Sequence, residues 1–446
     1  MDRIRRLITR PQAYEPIQHP TGVDDDDHGS ISPRSQHELP FSRYEYAVFF
    51  ILGVSMLWAW NMFLAAAPYF YLRFRSDNWT ATHFQPSILT VSTITNLGSA
   101  FILAKLQKGA SYPRRVTLSL LINIVVFSLL ALSTVFMKDV DVKAYFSFLM
   151  FMVFGASLAT GINQNGVFAY VSGFGREEYT QAIMAGQGVA GVLPCVVQII
   201  SALAVPERKG QNLPQASSKS AFMYFITATA IAAISLVAFL SLVRRRSGIS
   251  LQLTEELHDS ISSGYAHKTV SLWVLFKKLR FLASALFLCF AITMVYAVFT
   301  AEIESVHQDP NRSRLFSREV FIPVAFLFWN AGDLIGRMSV IFPSLSLAHR
   351  PWAFFVISVA RLGFIPLYLL CNIGGRRAIV QSDFFYLFVV QLLFGVSNGY
   401  LGSSCMMGAA QWVSVDEREA AGGFMSMVLV GGLAAGSLMS FLVANI

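Results

Sequence analysis

The chain has 446 residues, 54% of them hydrophobic and only 13% charged, with a formal net charge of +8 and a mean hydropathy of +0.54. A soluble domain carries about a quarter charged residues, so the composition excludes a water-soluble globular protein and implies lipid contact over much of the surface. Apolar runs repeatedly reach the roughly 20 residues a helix needs to cross hydrocarbon, and no alternating ten-residue pattern of a membrane β-barrel is present.

Residues 1–44 read as a disordered cytoplasmic tail. The segment is polar, carries Pro11, Pro16, Pro20, Pro33 and Pro40, and holds an acidic run from Asp24 to Asp27. It contains no apolar run of signal-peptide length, so the first span is expected to serve as the insertion signal. Eleven spans follow, near residues 46–71, 84–106, 115–137, 144–172, 180–204, 220–243, 279–301, 319–342, 351–371, 383–408 and 420–444. The expected fold class is therefore an all-α polytopic membrane protein. Residues 244–278, serine-rich with Glu255, Glu256 and Asp259, form the longest polar break. That break makes a central cytoplasmic loop between a six-helix lobe, 45–243, and a five-helix lobe, 279–446. This is the layout of a two-lobed transporter lacking one terminal helix, a design that places substrate between the halves near the midplane.

Loop charges set the orientation. With the tail in the cytoplasm, one side collects Lys105, Lys108, Arg114, Arg115, Arg176, Arg244, Arg245, Arg246, Lys277, Lys278, Arg280, Arg350 and Arg418, while the other holds fewer basic residues. The positive-inside rule thus predicts a cytoplasmic N-terminus and a lumenal or extracellular C-terminus. Two glycosylation candidates, Asn78 in Asn78-Trp79-Thr80 and Asn311 in Asn311-Arg312-Ser313, fall on the non-cytoplasmic side. The basic residues flank spans, where they meet lipid headgroups; the bilayer is the expected partner and nucleic acid is not. The cysteines Cys195, Cys289, Cys371 and Cys405 lie within spans without metal or disulfide spacing, and every histidine lies in the tail, a loop or a span edge. No cofactor, no metal and no obligate protein partner is expected.

Small residues four apart in GDLIG (Gly332, Gly336), GVSNG (Gly395, Gly399) and GLAAG (Gly432, Gly436) predict close helix packing. GQGVAG, from Gly186 to Gly191, matches a dinucleotide fingerprint but lies in an apolar helix ending at Leu193-Pro194. That fingerprint needs a preceding strand, so the motif reads as helix packing with a kink.

Polar groups inside spans are costly and mark candidate sites. Asp333 and Arg337, in FWNAGDLIGR, stand four apart on one helical face in the favourable order. They either pair as a structural lock between helices or face a cavity, offering acceptors and a planar fork of donors that suits sugar hydroxyls. Asn330 lies one turn earlier on nearly the same face. In the first span Trp60 and Asn61 sit near mid-membrane, away from the interfaces where tryptophans usually anchor. Trp60 either packs in the core or stacks on a planar ring, and Trp58 faces elsewhere. The fourth span carries three consecutive amides, Asn163, Gln164 and Asn165, of which at least one faces inward. Ser397, Asn398, Ser403 and Ser404 in the tenth span read as packing or as hydrogen-bonding groups. Glu302 and Glu304, near the outer end of the seventh span, are loop-facing acids or proton-coupling carboxylates. HExxH and metal-spaced histidines are absent from the sequence, so an intramembrane enzyme is not expected.

Together these segments resemble the equilibrative nucleoside transporter family. The resemblance is carried by WNMFLAAAPYF in the first span, QNGVF and YTQAIMAGQGVAG in the fourth and fifth, NAGDLIGR in the eighth and SNGYLGSSCM in the tenth, in the family's order. The short central loop and acidic tail look like those of a fungal or other lower-eukaryotic member. The resemblance implies a major-facilitator-like arrangement of six plus five helices. It also implies alternating-access transport of nucleosides, or nucleobases, by facilitated diffusion; a proton-coupled carrier of small polar solutes is the alternative. It assigns Trp60 to substrate contact, Gln164 to the base, Asp333 and Arg337 with adjacent Asn330 to the ribose, and Arg115 with Glu419 to a cytoplasmic gating pair. Ala59 and Thr300 stand where many members have proline, a departure that touches the outer gate. A vacuolar or lysosomal membrane is slightly favoured over the plasma membrane.

Overall fold

The computed structural model describes residues 41–107, 109–204, 218–257, 269–307, 313–342, 345, 347, 349–375 and 378–443. The tail up to residue 40, residues 258–268 of the central loop, and Asn311 lie outside the described residues.

Among the described residues, eleven helices are long and apolar enough to cross a membrane. They are α1 (Arg43–Phe74), α2 (Asn78–Lys105), α3 (Tyr112–Phe136), α4 (Val142–Ser172), α5 (Glu177–Ile200), α6 (Ser218–Ser247), α7 (Leu272–Glu302), α8 (Arg318–Ser339), α9 (Pro351–Leu369), α10 (Phe385–Trp412) and α11 (Val415–Ser440). Each coincides with an apolar run expected from the sequence. The central break differs from the expectation. The helical backbone of α6 runs on to Leu257, and α7 begins at Leu272, so much of the stretch 244–278 is helical. Arg246 holds the first extra turn, with its Nε donating to Glu45 Oε1 at 3.1 Å and its guanidinium lying 3.5 Å over the Phe174 ring.

Prolines inside helices remove backbone hydrogen bonds, and side chains collect the carbonyls that they free. Pro194 interrupts α5 and leaves the Ala190 carbonyl without its helical donor; Asn61 Nδ2 of α1 donates to that carbonyl at 2.7 Å. Pro366 does the same to Leu362 in α9, and Tyr296 hydroxyl, within 3.4 Å of the Arg361 and Leu362 carbonyls, donates there. There α9 passes through one 3-10 turn, Arg361–Gly363. In α1 the helix breaks at Ala66, just before Pro68.

Helices α1–α6 form one lobe and α7–α11 the other. Within the first, α1 packs on α5 and α6, α3 on α4 and α6, and α2 on α4; within the second, α8 packs on α10, and α7 on α9, α10 and α11. Gly332 and Gly336 of α8 abut the α10 backbone at Leu392 and Val396, and Gly395 and Gly399 of α10 abut Trp329 and Asp333 of α8. A Cβ at any of these four would strike main chain, so GDLIG and GVSNG are two halves of one interface. The lobes meet along two seams, α5 against α8 and α11 against α2 and α4. GQGVAG serves both kinds of contact: Gly186 abuts α1 at Phe50, whereas Gly188 and Gly191 face Leu334 and Asn330 of α8.

Candidate functional site

A cavity of about 260 Å³ lies between the lobes. Its walls come from α1, α2, α3 and α4 on one side and from Met294 of α7 and Val430, Leu433, Ala434 and Ser437 of α11 on the other. Apart from Ser437, near the end of α11, these positions lie well inside their helices. The lining is mainly apolar, and no Asp, Glu, His, Lys or Arg is among the described lining residues. Its polar edge is made of amides and hydroxyls.

Trp60 and Gln164 both line this cavity. Trp58 does not; it packs against the aromatic cluster around Phe63, Phe70 and Phe225. The three consecutive amides of α4 go to three environments. Gln164 faces the cavity, and its buried Oε1 has no hydrogen-bond partner in the protein. Asn165 Oδ1 accepts from Arg115 Nη1 at 2.7 Å. Asn163 is 1% exposed with both amide atoms unpartnered. Asn96 of α2, which the sequence reading passed over, also lines the cavity with an unpartnered buried Oδ1. It lies across Gly161 of α4, where a side chain would collide with Ser99 and crowd Asn96. A buried amide left without a partner costs about 1–3 kcal/mol, so a ligand with polar edges would recover free energy here.

Asn330, Asp333 and Arg337 do not line the cavity. They sit in the α5–α8 seam. Asp333 and Arg337 are 6% and 5% exposed and are joined by Arg337 Nε donating to Asp333 Oδ2 at 2.5 Å. Arg337 Nη1 crosses to the other lobe, donating to the Met184 carbonyl at 2.9 Å and to Gln187 Oε1 at 3.1 Å. Asn398 Nδ2 of α10 donates to the second carboxylate oxygen of Asp333 at 2.6 Å. Asn330 Nδ2 donates to the Phe326 carbonyl of its own helix at 2.8 Å, beside Cys195 and Gly191 of α5. The pair therefore spans the inter-lobe seam through one guanidinium.

Arg115 and Glu419 form no ion pair with each other among the described residues. Arg115 is occupied within its own lobe: besides Asn165, it donates to the Leu103 carbonyl at 3.3 Å and to the Leu106 carbonyl, both at the C-terminal end of α2. That end carries partial negative charge and unpaired carbonyls, which attract a guanidinium. Glu419 lies against Gly173 at the end of α4. The lobes are tied at this end by other groups. Val270 N donates to Gln107 Oε1 at 2.9 Å, Gln411 Nε2 donates to Glu177 Oε1, and Gly422 and Gly423 of α11 lie against Phe168 and Asn165 of α4.

At the opposite end, Glu302 and Glu304 pair with Arg318 at 3.5 and 3.1 Å, with Glu302 exposed. They are loop-facing acids outside the cavity lining. Asn78 is exposed at the first residue of α2. Asp77, which caps that helix, accepts from the Thr80 hydroxyl and from Thr80 N at 3.1 Å, and these bonds hold its carboxyl below the usual carboxylate range.

Two helical lobes joined along two seams around a cavity make up a fold of the major-facilitator class. The fold is similar to that of the proton:xylose symporter XylE, with a TM-score of 0.61 at 12% identity over 90% of each chain. It is also similar to the human organic anion transporter MFSD10, with a TM-score of 0.55 at 16% identity over 90% of this chain and 93% of that one. Within that class the chain belongs to the nucleoside transporter family, whose sequence pattern matches residues 149–249 and 244–445. Nucleoside transporter FUN26 of Saccharomyces cerevisiae is 31% identical over 92% of this chain and 87% of its own length. Human equilibrative nucleoside transporter 1 is 30% identical over 90% of this chain and 98% of its own.

Proposed function

We propose that this chain carries nucleosides across a membrane by alternating access, as uncoupled facilitated diffusion. The observation that carries this reading is the chemistry of the cavity. It lies between lobes, offers Trp60 for ring stacking and Gln164 for a base edge, and is lined by no ionisable side chain among the described residues. Such a lining suits a neutral solute with a flat ring and polar edges. It also leaves no proton-accepting carboxylate beside the substrate. Nucleobases share the ring and its edges and are the second class of substrate.

Asp333, Arg337 and Asn330 are proposed to act on the same substrate when the α5–α8 seam opens. Arg337 now donates to neutral acceptors on α5, which ribose hydroxyls can replace at little cost. Arg115 and Glu419 are proposed as an inner pair in a state other than the one described. The N-terminus is placed in the cytoplasm by the positive-inside rule, so the tied end around Gln107, Glu177 and Gly173 is the cytoplasmic one. A vacuolar or lysosomal membrane is the favoured location.

The test is uptake of radiolabelled uridine and adenosine into liposomes holding the purified protein. Saturable uptake that is weakened in Trp60→Ala through a KM about tenfold higher, and that does not change with an imposed pH gradient, is expected. Uphill accumulation driven by that gradient would replace facilitated diffusion by proton coupling, and no uptake by folded protein would remove the nucleoside reading.

A further inference from the structure

A second buried arginine, Arg361 of α9, belongs to the same polar network and stands outside the cavity. It is 2% exposed and, among the described residues, has no acidic side chain within ion-pair distance. Its donors go to neutral groups: Nη1 to the Cys289 carbonyl at 2.8 Å, and Nη2 to Thr293 Oγ1 at 3.2 Å and Asn398 Oδ1 at 3.3 Å. The guanidinium also lies 4.4 Å over the Phe394 ring, and its Nε has no hydrogen-bond partner. A cation buried among dipoles alone is costly, and the full negative charge nearest to it in the network is Asp333, one amide away.

That amide is Asn398. Its Oδ1 accepts from Thr293 hydroxyl at 2.7 Å and from Arg361, and its Nδ2 donates to Asp333. A flipped amide would set NH₂ against a guanidinium and oxygen against a carboxylate, so the charges at the two ends fix its direction. With Asn398 on one oxygen and Arg337 Nε on the other, the Asp333 carboxylate cannot turn. The same hold aims Arg337 Nη1 across the seam at Met184 and Gln187.

We propose that Arg361 is a positioning residue: acting through Asn398, it fixes the Asp333 carboxylate and thereby the contact that Arg337 makes with the opposite lobe. Helix α9 then bears on the inter-lobe seam without touching it. Asp333 is bonded by Arg337 of its own helix and Asn398 of α10; beyond them stand Met184 and Gln187 from α5 on Arg337, and Thr293 from α7 and Arg361 from α9 on Asn398, and among the described residues of this network Arg361 is the one cation from another helix. The consequence for transport rests on Asp333 and Arg337 serving the carrier as proposed above; the relay itself does not.

The experiment is a double-mutant cycle on full-length protein with two readouts, thermal unfolding in detergent and nucleoside uptake. Arg361→Met replaces the cation by an apolar chain and leaves Asp333 paired with Arg337, so the variant should fold. It should lower uptake roughly tenfold, as loss of one link in a contiguous polar network does, and Arg361→Lys should restore most of it. In Asp333→Asn the network holds two cations and no anion. There Arg361→Met should raise the unfolding midpoint, whereas in the parent chain it should lower it, because Asn398 then loses the cation that fixes its direction toward Asp333. An equal shift in both backgrounds, loss of folding in both, or unchanged uptake in Arg361→Met with Arg337→Ala inactive would overturn the proposal. The sign reversal together with full uptake in Arg337→Ala would keep the relay and remove Asp333 and Arg337 from transport.

Discussion

Arg337→Ala separates a lock between helices from a substrate contact. The residue is 5% exposed and supplies the charge that faces Asp333 Oδ2, as well as donors for Met184 and Gln187 of α5. Truncation leaves a carboxylate held by one amide, Asn398 Nδ2, and breaks a buried pair, which costs about 3–5 kcal/mol. The lost contacts to Gln187 and Met184 come on top and loosen the α5–α8 seam. The geometry therefore predicts a lowered unfolding midpoint as well as lost uptake. Asp333→Asn combined with Arg337→Met removes both charges at nearly constant volume and should recover most of the lost stability. Thermal unfolding of purified protein beside uptake in liposomes reads both quantities. A stable, inactive double variant assigns the pair to transport, whereas a stable, active one makes it a lock. An Arg337→Ala protein that unfolds at the parent temperature would refute the electrostatic reasoning.

Trp60→Ala should raise the KM for uptake about tenfold, corresponding to loss of one stacked ring at about 1–1.5 kcal/mol, without moving the unfolding midpoint, since the side chain faces a cavity. Asn61→Ala should destabilise by about 1–3 kcal/mol, because the Ala190 carbonyl freed by Pro194 loses its donor; adding Pro194→Ala should restore the midpoint. Gly399→Val should abolish folded expression, because its Cβ would meet the Asp333 and Arg337 main chain.

Where the spans lie was legible because hydrocarbon thickness imposes one length on every crossing helix. The glycine pairs were legible because close approach allows few other residues. The sorting of Asn163, Gln164 and Asn165 was not, since consecutive helical positions are 100° apart and which neighbour each meets is decided by other helices. Arg361 carried the signal that singled out Asp333, a charge inside an apolar span, but without an acid at helical spacing nothing in the sequence named its partner. Asn96 was hidden for another reason. Its reach depends on Gly161 of a different helix, a relation that one-dimensional pattern cannot hold. Arg115 shows a further limit: the resemblance pairs it with Glu419, whereas its guanidinium is held by carbonyls at the end of α2, which no motif in the sequence announces.

The absence of ionisable side chains from the cavity lining makes a prediction by addition rather than removal. If the carrier is uncoupled because nothing beside the substrate exchanges a proton, then placing a carboxyl there should create pH dependence. Asn96 is the position for it, with an unpartnered buried Oδ1 against Gly161 and room opened by that glycine. Aspartate has nearly the shape of asparagine, so Asn96→Asp changes chemistry with little change in packing. Uptake by the parent protein at equal pH on both sides should stay level between roughly pH 5.5 and 8, whereas Asn96→Asp should vary across that range by at least a few-fold, a difference of about 1 kcal/mol. Flat profiles in both would mean that Asn96 does not reach the transported solute. A sloping profile in the parent would place a titrating group on the transport path, and Asp333, freed from Arg337 when the seam opens, would be the first residue to replace.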